Sequence, residues 1–196
     1  MAKLAIVGNG PSRRLFPGYH DGPVMLCNIP QLVCEYSGLC IIDEKCFNWY
    51  KQSDFKPHRP IYTTGALENK FKQIGIETVY GVFEKKLMNV AQTAALHFAK
   101  DFDEITLYGC DALWSKNVSS SCDANIHRPP RGANLHNRWR AQWEEVWQTQ
   151  KTFEIVQPFN YEDESENPNY GKNVFFSQHS MPANKEVSVI NPKFTT

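Results

Sequence analysis

Charge of one sign is what this sequence lacks first: 21 Lys and Arg offset 21 Asp and Glu. A nucleic-acid surface shows as a basic footprint and a headgroup-binding surface as a polybasic tract, so neither nucleic acid nor membrane is expected as a partner. Apolar runs are short, and none nears the ~20 residues that cross a bilayer. The first residues also lack the charged-then-apolar plan of a signal peptide, because the run Leu4 to Val7 stops at Gly8. A cytoplasmic protein is therefore expected.

Several chemical signatures are missing as well. The six cysteines, at 27, 34, 40, 46, 110 and 122, never form CxxC. Zinc sites favour paired ligands on a tight turn, so free and mostly buried thiols are expected, with no metal. There is no GxSxG nucleophile elbow. No Gly-Lys-Ser/Thr follows the early glycines, which excludes a Walker loop, and Pro11, Ser12 and Arg13 stand where the dinucleotide fingerprint needs a third glycine. No DxD pair sits at a strand end beside a diphosphate site. The DFD at 101–103 and the EDE at 162–164 read as a helix-end loop and a solvated tail. Any reaction is expected to be metal-independent and to need no cofactor.

What is present alternates. Strand-length apolar runs lie at 3–7, 23–28, 39–43, 60–64, 77–81, 104–109 and 153–158, each bounded by Gly, Pro, Asp or Asn. The spacing predicts one long helix, KKLMNVAQTAALHFAKDF, with Leu87, Val90, Ala91, Ala94, Ala95 and Phe98 on one face. It predicts another from Asn137 to Gln150, whose Trp139, Trp143, Val146 and Trp147 form a stripe for packing on a sheet. Shorter helices are expected over 30–37, 44–52 and 66–74. Strands alternating with helices imply an α/β fold: a Rossmann-like, mostly parallel sheet with helices on both faces.

Right-handed crossovers gather the loops after each strand along one sheet edge. That edge would hold Gly8 to Ser12, Asn28, Asp43, Thr63, Thr64 and Gly109 to Asp111. Gly8, Asn9, Gly10 and Ser12 are expected to cradle a phosphate through main-chain N–H groups. Asn28 either reads a base or ribose or caps a turn. Asp111, after another glycine at a strand end, is a candidate to bind a sugar hydroxyl or orient a loop. His127 and His136 flank RPPRGANL, a segment suited to closing as a lid. His136, ahead of a helix, is the first candidate for acid–base chemistry.

From Asn160 the composition turns acidic and poor in apolar residues. The expected division is a nucleotide-binding domain over 1–160 and an extended C-terminal arm over 161–196. NVFFSQ and VSVI would pair as short edge strands or pack on a neighbouring subunit, making a homo-oligomer.

The run Gly8-Asn9-Gly10-Pro11-Ser12, the pair Cys27-Asn28 and the segment Glu104 to Asp111 resemble the bacterial lipooligosaccharide sialyltransferases. The wider GNGPS group includes motility-accessory-factor-like and uncharacterised phage proteins. The likeness spans the first ~110 residues and a histidine before a late helix. It implies a glycosyltransferase-like enzyme that takes a sugar from a nucleotide-sugar substrate to an acceptor hydroxyl without metal, in the host cytoplasm if the chain is viral. It implies nucleotide contacts at Asn9, Gly10, Ser12 and Asn28, and His136 as general base. The chain departs from that family's Thr-Ser-Gly run with Glu84-Lys85-Lys86-Leu87, and carries Leu113 and Trp114 where the family has tyrosines. Those departures leave a second expectation open, a non-catalytic nucleotide-binding protein or a phage assembly or inhibitor protein.

Overall fold

The computed structural model describes residues 1–32, 34–165 and 170–180. Its strands are β1 (Lys3–Val7), β2 (Val24–Cys27), β3 (Gly38–Cys40), β4 (Ile61–Tyr62), β5 (Val79–Tyr80), β6 (Glu104–Tyr108), β7 (Thr152–Pro158) and β8 (Val174–His179). They form one sheet in the order β5-β4-β3-β2-β1-β6-β7-β8. Every neighbouring pair is parallel. Four helices accompany it: α1 (Glu44–Gln52), α2 (Gly65–Gln73), α3 (Val90–Phe98) and α4 (Leu135–Trp147). This is the Rossmann-like α/β architecture that the alternation implied.

The apolar run of β1 shows why the sheet must be covered twice. Successive side chains of a strand point to opposite faces. Leu4 and Ile6 join one core cluster with Ala94 and Phe98 of α3 and Trp143 and Trp147 of α4. Ala5 and Val7 join the other, with Leu15, Phe16, Phe47 of α1 and Phe71 of α2. Only a strand apolar on both faces can sit there, and burying each large side chain contributes about 1.5–3 kcal/mol.

Local differences from the periodicity reading have physical causes. The long helix begins at Val90, not Lys85, because Asn89 starts it. Its Oδ1 accepts from the Gln92 N–H at 2.9 Å, while Gln92 Oε1 accepts from the Asn89 N–H at 3.2 Å, a reciprocal capping box. Leu87 is buried all the same, its N–H donating to Thr93 Oγ1 at 2.9 Å. The described residues within 30–37 are not helical. Leu32 and Tyr36 of that connection join the core.

Part of the segment read as an arm belongs to the sheet: β8 pairs with β7 from Phe153↔Val174 to Pro158↔His179. Before it, the Glu164 N–H donates to Trp114 O at 2.7 Å and Tyr170 Oη to Leu113 O at 3.1 Å, so the chain returns across the loop that follows β6. VSVI lies outside the described residues. No helix among the described residues is long and apolar enough to cross a membrane. All six cysteines are free thiols, and burial pushes the titration of Cys27, Cys40, Cys46 and Cys110 upward.

Candidate functional site

The strand order reverses direction at β1, with β2 on one side and β6 on the other. Loops leaving such a divergence separate and open a crevice at the carboxyl ends of the strands. A cleft of about 250 Å³ lies there. Its floor comes from Gly8, Asn9 and Gly10 after β1, Asn28 after β2, Asp43 after β3 and Gly109 to Asp111 after β6. Met88 to Ala91, at the start of α3, form one wall. The topology thus assembles most of the strand-end residues expected along this edge. Thr63 and Thr64 are not among the lining; Thr63 is buried and donates to Ile41 O at 2.6 Å.

The glycine loop is used differently from the expected phosphate cradle. The Gly8 N–H donates to Tyr108 O at 2.8 Å and the Gly10 N–H to Gly109 O at 2.9 Å. The Ser12 N–H and hydroxyl both donate to Asp111 Oδ1, at 3.1 and 2.6 Å. Three of the amides expected to hold an anion are therefore already satisfied, the last by a carboxylate of the chain itself. Because Val7 and Tyr108 are register partners, the two loops leave the sheet side by side. Their main-chain donors must find acceptors, and the nearest belong to the other loop.

The glycines make this interlock possible. A Cβ on Gly10 would lie 2.3 Å from Asp111 Oδ1, and one on Gly109, whose φ is +66°, would lie 2.4 Å from Gly8 O. Ser12 is buried against Asp111 and is not among the cleft-lining residues. Asp111 does line the cleft, and desolvation raises its pKa against the opposing pull of the Ser12 hydrogen bonds.

The two asparagines are not equivalent. Asn9 Nδ2 donates to Cys27 O at 2.9 Å and so ties the first loop to β2. Asn28 adopts a left-handed backbone (φ 63°), its N–H donating to Cys40 O and its carbonyl accepting from Tyr50 Oη at 2.8 Å. With the main chain held on both sides, the Asn28 Oδ1 is buried and has no hydrogen-bond partner among the described residues. An acceptor left unmet in a cleft is suited to a ligand donor.

The opening turn of α3 supplies positive potential. Asn89 satisfies the third amide, whereas the Val90 and Ala91 N–H groups donate to no acceptor among the described residues. These orphan donors and the helix dipole favour an anion. Helix α4 is clamped to this turn: Gln92 Nε2 donates to Trp139 O at 2.7 Å and the Met88 N–H to Gln142 Oε1.

The segment after β6 closes over the cleft. The Ser121 N–H donates to Asn9 O at 2.9 Å, and Asn117 to Ser120 line the cavity. Arg128 Nη2 donates to Asp43 Oδ2 at 2.8 Å, and Arg131 forms a two-pronged pair with Asp123 at 2.6 and 2.9 Å. Both arginines line the cleft, and the Arg131 guanidinium stands 5.9 Å from the Trp139 ring centre. The segment bordering the cleft thus reaches beyond the 127–136 expected as a lid, and it is tied to the β3 end through Asp43.

Two residues of α4 fall elsewhere than expected. Leu135, Trp139 and Trp143 recur every four residues and face the cleft. His136, about 100° around the helix from Leu135, is buried and absent from the cleft lining, so the first acid–base candidate does not stand among the other site residues. Trp139 lines the cleft without joining the core, Trp143 does both, and Val146 and Trp147 enter the core as the stripe predicted. His127 is exposed.

Sequence reasoning placed Arg128 and Arg131 in the expected lid but did not single out the start of α3 or the buried Arg140. The first had a signal, since Asn89 and Gln92 carry the N-x-x-Q spacing of a capping box. Arg140 had none: its Nε donates to Ala112 O at 2.7 Å and its Nη2 to Ser115 O at 2.8 Å, fixing the turn after Asp111. Among the described residues no group of three or more His, Cys, Asp or Glu could hold a metal ion. The class so defined is a Rossmann-like α/β protein with a lidded cleft at the divergence of its strand order. No family model, curated protein or solved structure matches the chain.

Proposed function

We propose that the cleft takes a nucleotide-sugar and that the protein is a glycosyltransferase-like enzyme, passing the sugar to an acceptor hydroxyl without a metal. One observation carries the reading: the orphan Val90 and Ala91 N–H groups and the orphan Asn28 Oδ1 border the same cleft. The first pair suits a phosphate and the second a nucleoside donor group. The anion site thus moves from the glycine loop to the head of α3, assisted by Arg128 and Arg131 across the cleft. Negative charge that develops on a departing phosphate is stabilised by fixed donors in a water-poor site.

Asp111 takes the part first given to His136. Burial strengthens it as a base, and with Oδ1 taken by the Ser12 N–H and hydroxyl, Oδ2, which shares the Ser12 N–H at 3.2 Å, is the oxygen to receive an acceptor hydroxyl. The volume of about 250 Å³ is just under the roughly 300–1,000 Å³ of typical ligand pockets. Admitting a whole nucleotide-sugar therefore requires the lid to lift.

A second reading, a nucleotide-binding protein without chemistry, is favoured by the burial of His136 and by the pairing of Asp43 with Arg128. The two separate when CMP-, UDP- and GDP-sugars are offered to the wild type and to Asp111→Asn. Nucleotide release that vanishes in the variant while thermal stabilisation persists supports the enzyme. Stabilisation without release supports the binder, and neither response removes both.

A further inference from the structure

Another cavity, of about 420 Å³, adjoins the cleft. Arg13, Arg14, Gln31 and Ser121 line it, and Asn9, Ser119 and Ser120 line both cavities. No carboxylate lines it, and neither arginine has an acidic partner within 4.0 Å among the described residues. Two buried polar atoms of the residues that line it lack partners among the described residues: Arg13 Nε and Gln31 Oε1. Buried polar groups are nearly always paired, so two orphans on residues around one cavity point to a missing ligand.

The surroundings hold these groups in place. The Arg13 N–H donates to Gly10 O at 3.0 Å, and the Arg13 stem abuts Gly109. Both hydrogens of Gln31 Nε2 are spent, on Ser121 O at 3.0 Å and Asn125 Oδ1 at 2.8 Å. The Gln31 side chain is itself only 4% exposed, and Oε1 is the acceptor it has left.

We propose that this cavity is a binding subsite for a phosphorylated sugar or polyol, with Arg13 and Arg14 on the phosphate and Gln31 Oε1 accepting from a hydroxyl beside it. The chemistry of each orphan selects the class. Two guanidinium groups with no ion pair of their own, Arg13 feeling only the more distant Asp111, match a dianion, and their fork geometry fits phosphate oxygens. A lone amide acceptor rejects a bare anion but suits an O–H. The direction of the Arg13 pKa agrees, lowered first by burial and then by Arg14, a strain that an anion between them relieves. Identifying the ligand as the acceptor substrate rests on the transferase reading; the binding itself does not.

The test titrates the full chain with glycerol 3-phosphate, inorganic phosphate and glycerol, following binding by calorimetry, in the wild type, Arg13→Gln and Arg14→Gln. Arg14 is exposed, so its variant keeps the fold. Glycerol 3-phosphate is expected to bind more tightly than inorganic phosphate and glycerol not at all. Each arginine variant should lose about tenfold in affinity or more, as befits a hydrogen bond to a charged group. CMP, UDP and GDP are titrated in parallel, so that failure of the main cleft is recognised separately. Unchanged glycerol 3-phosphate affinity in Arg14→Gln, or a soaked crystal showing the ligand only in the main cleft, overturns the subsite.

Discussion

Ser12 and Asp111, 99 residues apart in sequence, are joined by a 2.6 Å hydrogen bond from hydroxyl to carboxylate at the ends of two adjacent strands. The bond locks the loop after β1 to the loop after β6 and holds one flank of the cleft. Its removal in Ser12→Ala leaves a buried carboxylate with main-chain donors alone, the N–H groups of Ser12 and of Asp111 itself. The expected loss is about 1–3 kcal/mol of stability, measured by urea denaturation; an unchanged midpoint would show that the bond contributes nothing.

Asp111 also makes stability depend on pH. Its folded pKa is raised above the unfolded value, mainly by burial, so the folded state binds the proton more strongly. The penalty for holding the charge is absent below the unfolded pKa, grows as pH rises through the interval up to the folded pKa, and is constant above it. Asp111→Asn removes that penalty. The variant should therefore gain on the wild type at neutral pH, with the gap narrowing toward about pH 4. Parallel denaturation curves at every pH would contradict this.

The interlocked glycines are expected to be intolerant of a methyl group. Gly109→Ala puts a β-carbon in a left-handed conformation and against Gly8 O, a cost of about 1–3 kcal/mol for the backbone alone. Gly10→Ala should lose a comparable amount through contact with Gly109 O. Gly65, at the head of α2 with open space where its Cβ would stand, is the control. Gly65→Ala is expected to be neutral or to gain up to about 1 kcal/mol. Equal melting temperatures for all three variants would refute the loop-to-loop account.

Breaking the latch should free the lid without unfolding the domain. Arg128 and Asp43 are partly exposed, so Arg128→Met costs no more than about 1 kcal/mol. Hydrogen exchange over 117–131 should speed up, while β1 and β6 keep their protection. Exchange as slow as in the wild type would mean that this ion pair does not hold the segment down.

His136 supplies a check on the site assignment. Because it is buried outside the cleft lining, His136→Gln is expected to lower the melting temperature and to leave nucleotide affinity within about twofold. A selective loss of nucleotide affinity at unchanged stability would return the histidine to the site.

Much of this protein was legible along the chain because burial on both faces of a strand leaves a one-dimensional mark. Leu4 to Val7, Val24 to Cys27 and Glu104 to Tyr108 could be read as strands, and right-handed crossovers then grouped Gly8, Asn28, Asp43 and Asp111 at one edge. What the glycine loop does there could not be read. Whether the amides of Gly8, Gly10 and Ser12 face a ligand or the neighbouring loop depends on which strand lies beside β1, and that partner comes from a hundred residues away. The angular phase of α4, which buries His136 and turns Trp139 to the cleft, depends likewise on where α3 clamps it. Local pattern determines which segments are strands and helices, whereas the pairing of main-chain and charged groups is a contest among all acceptors within reach, decided only once the chain has folded.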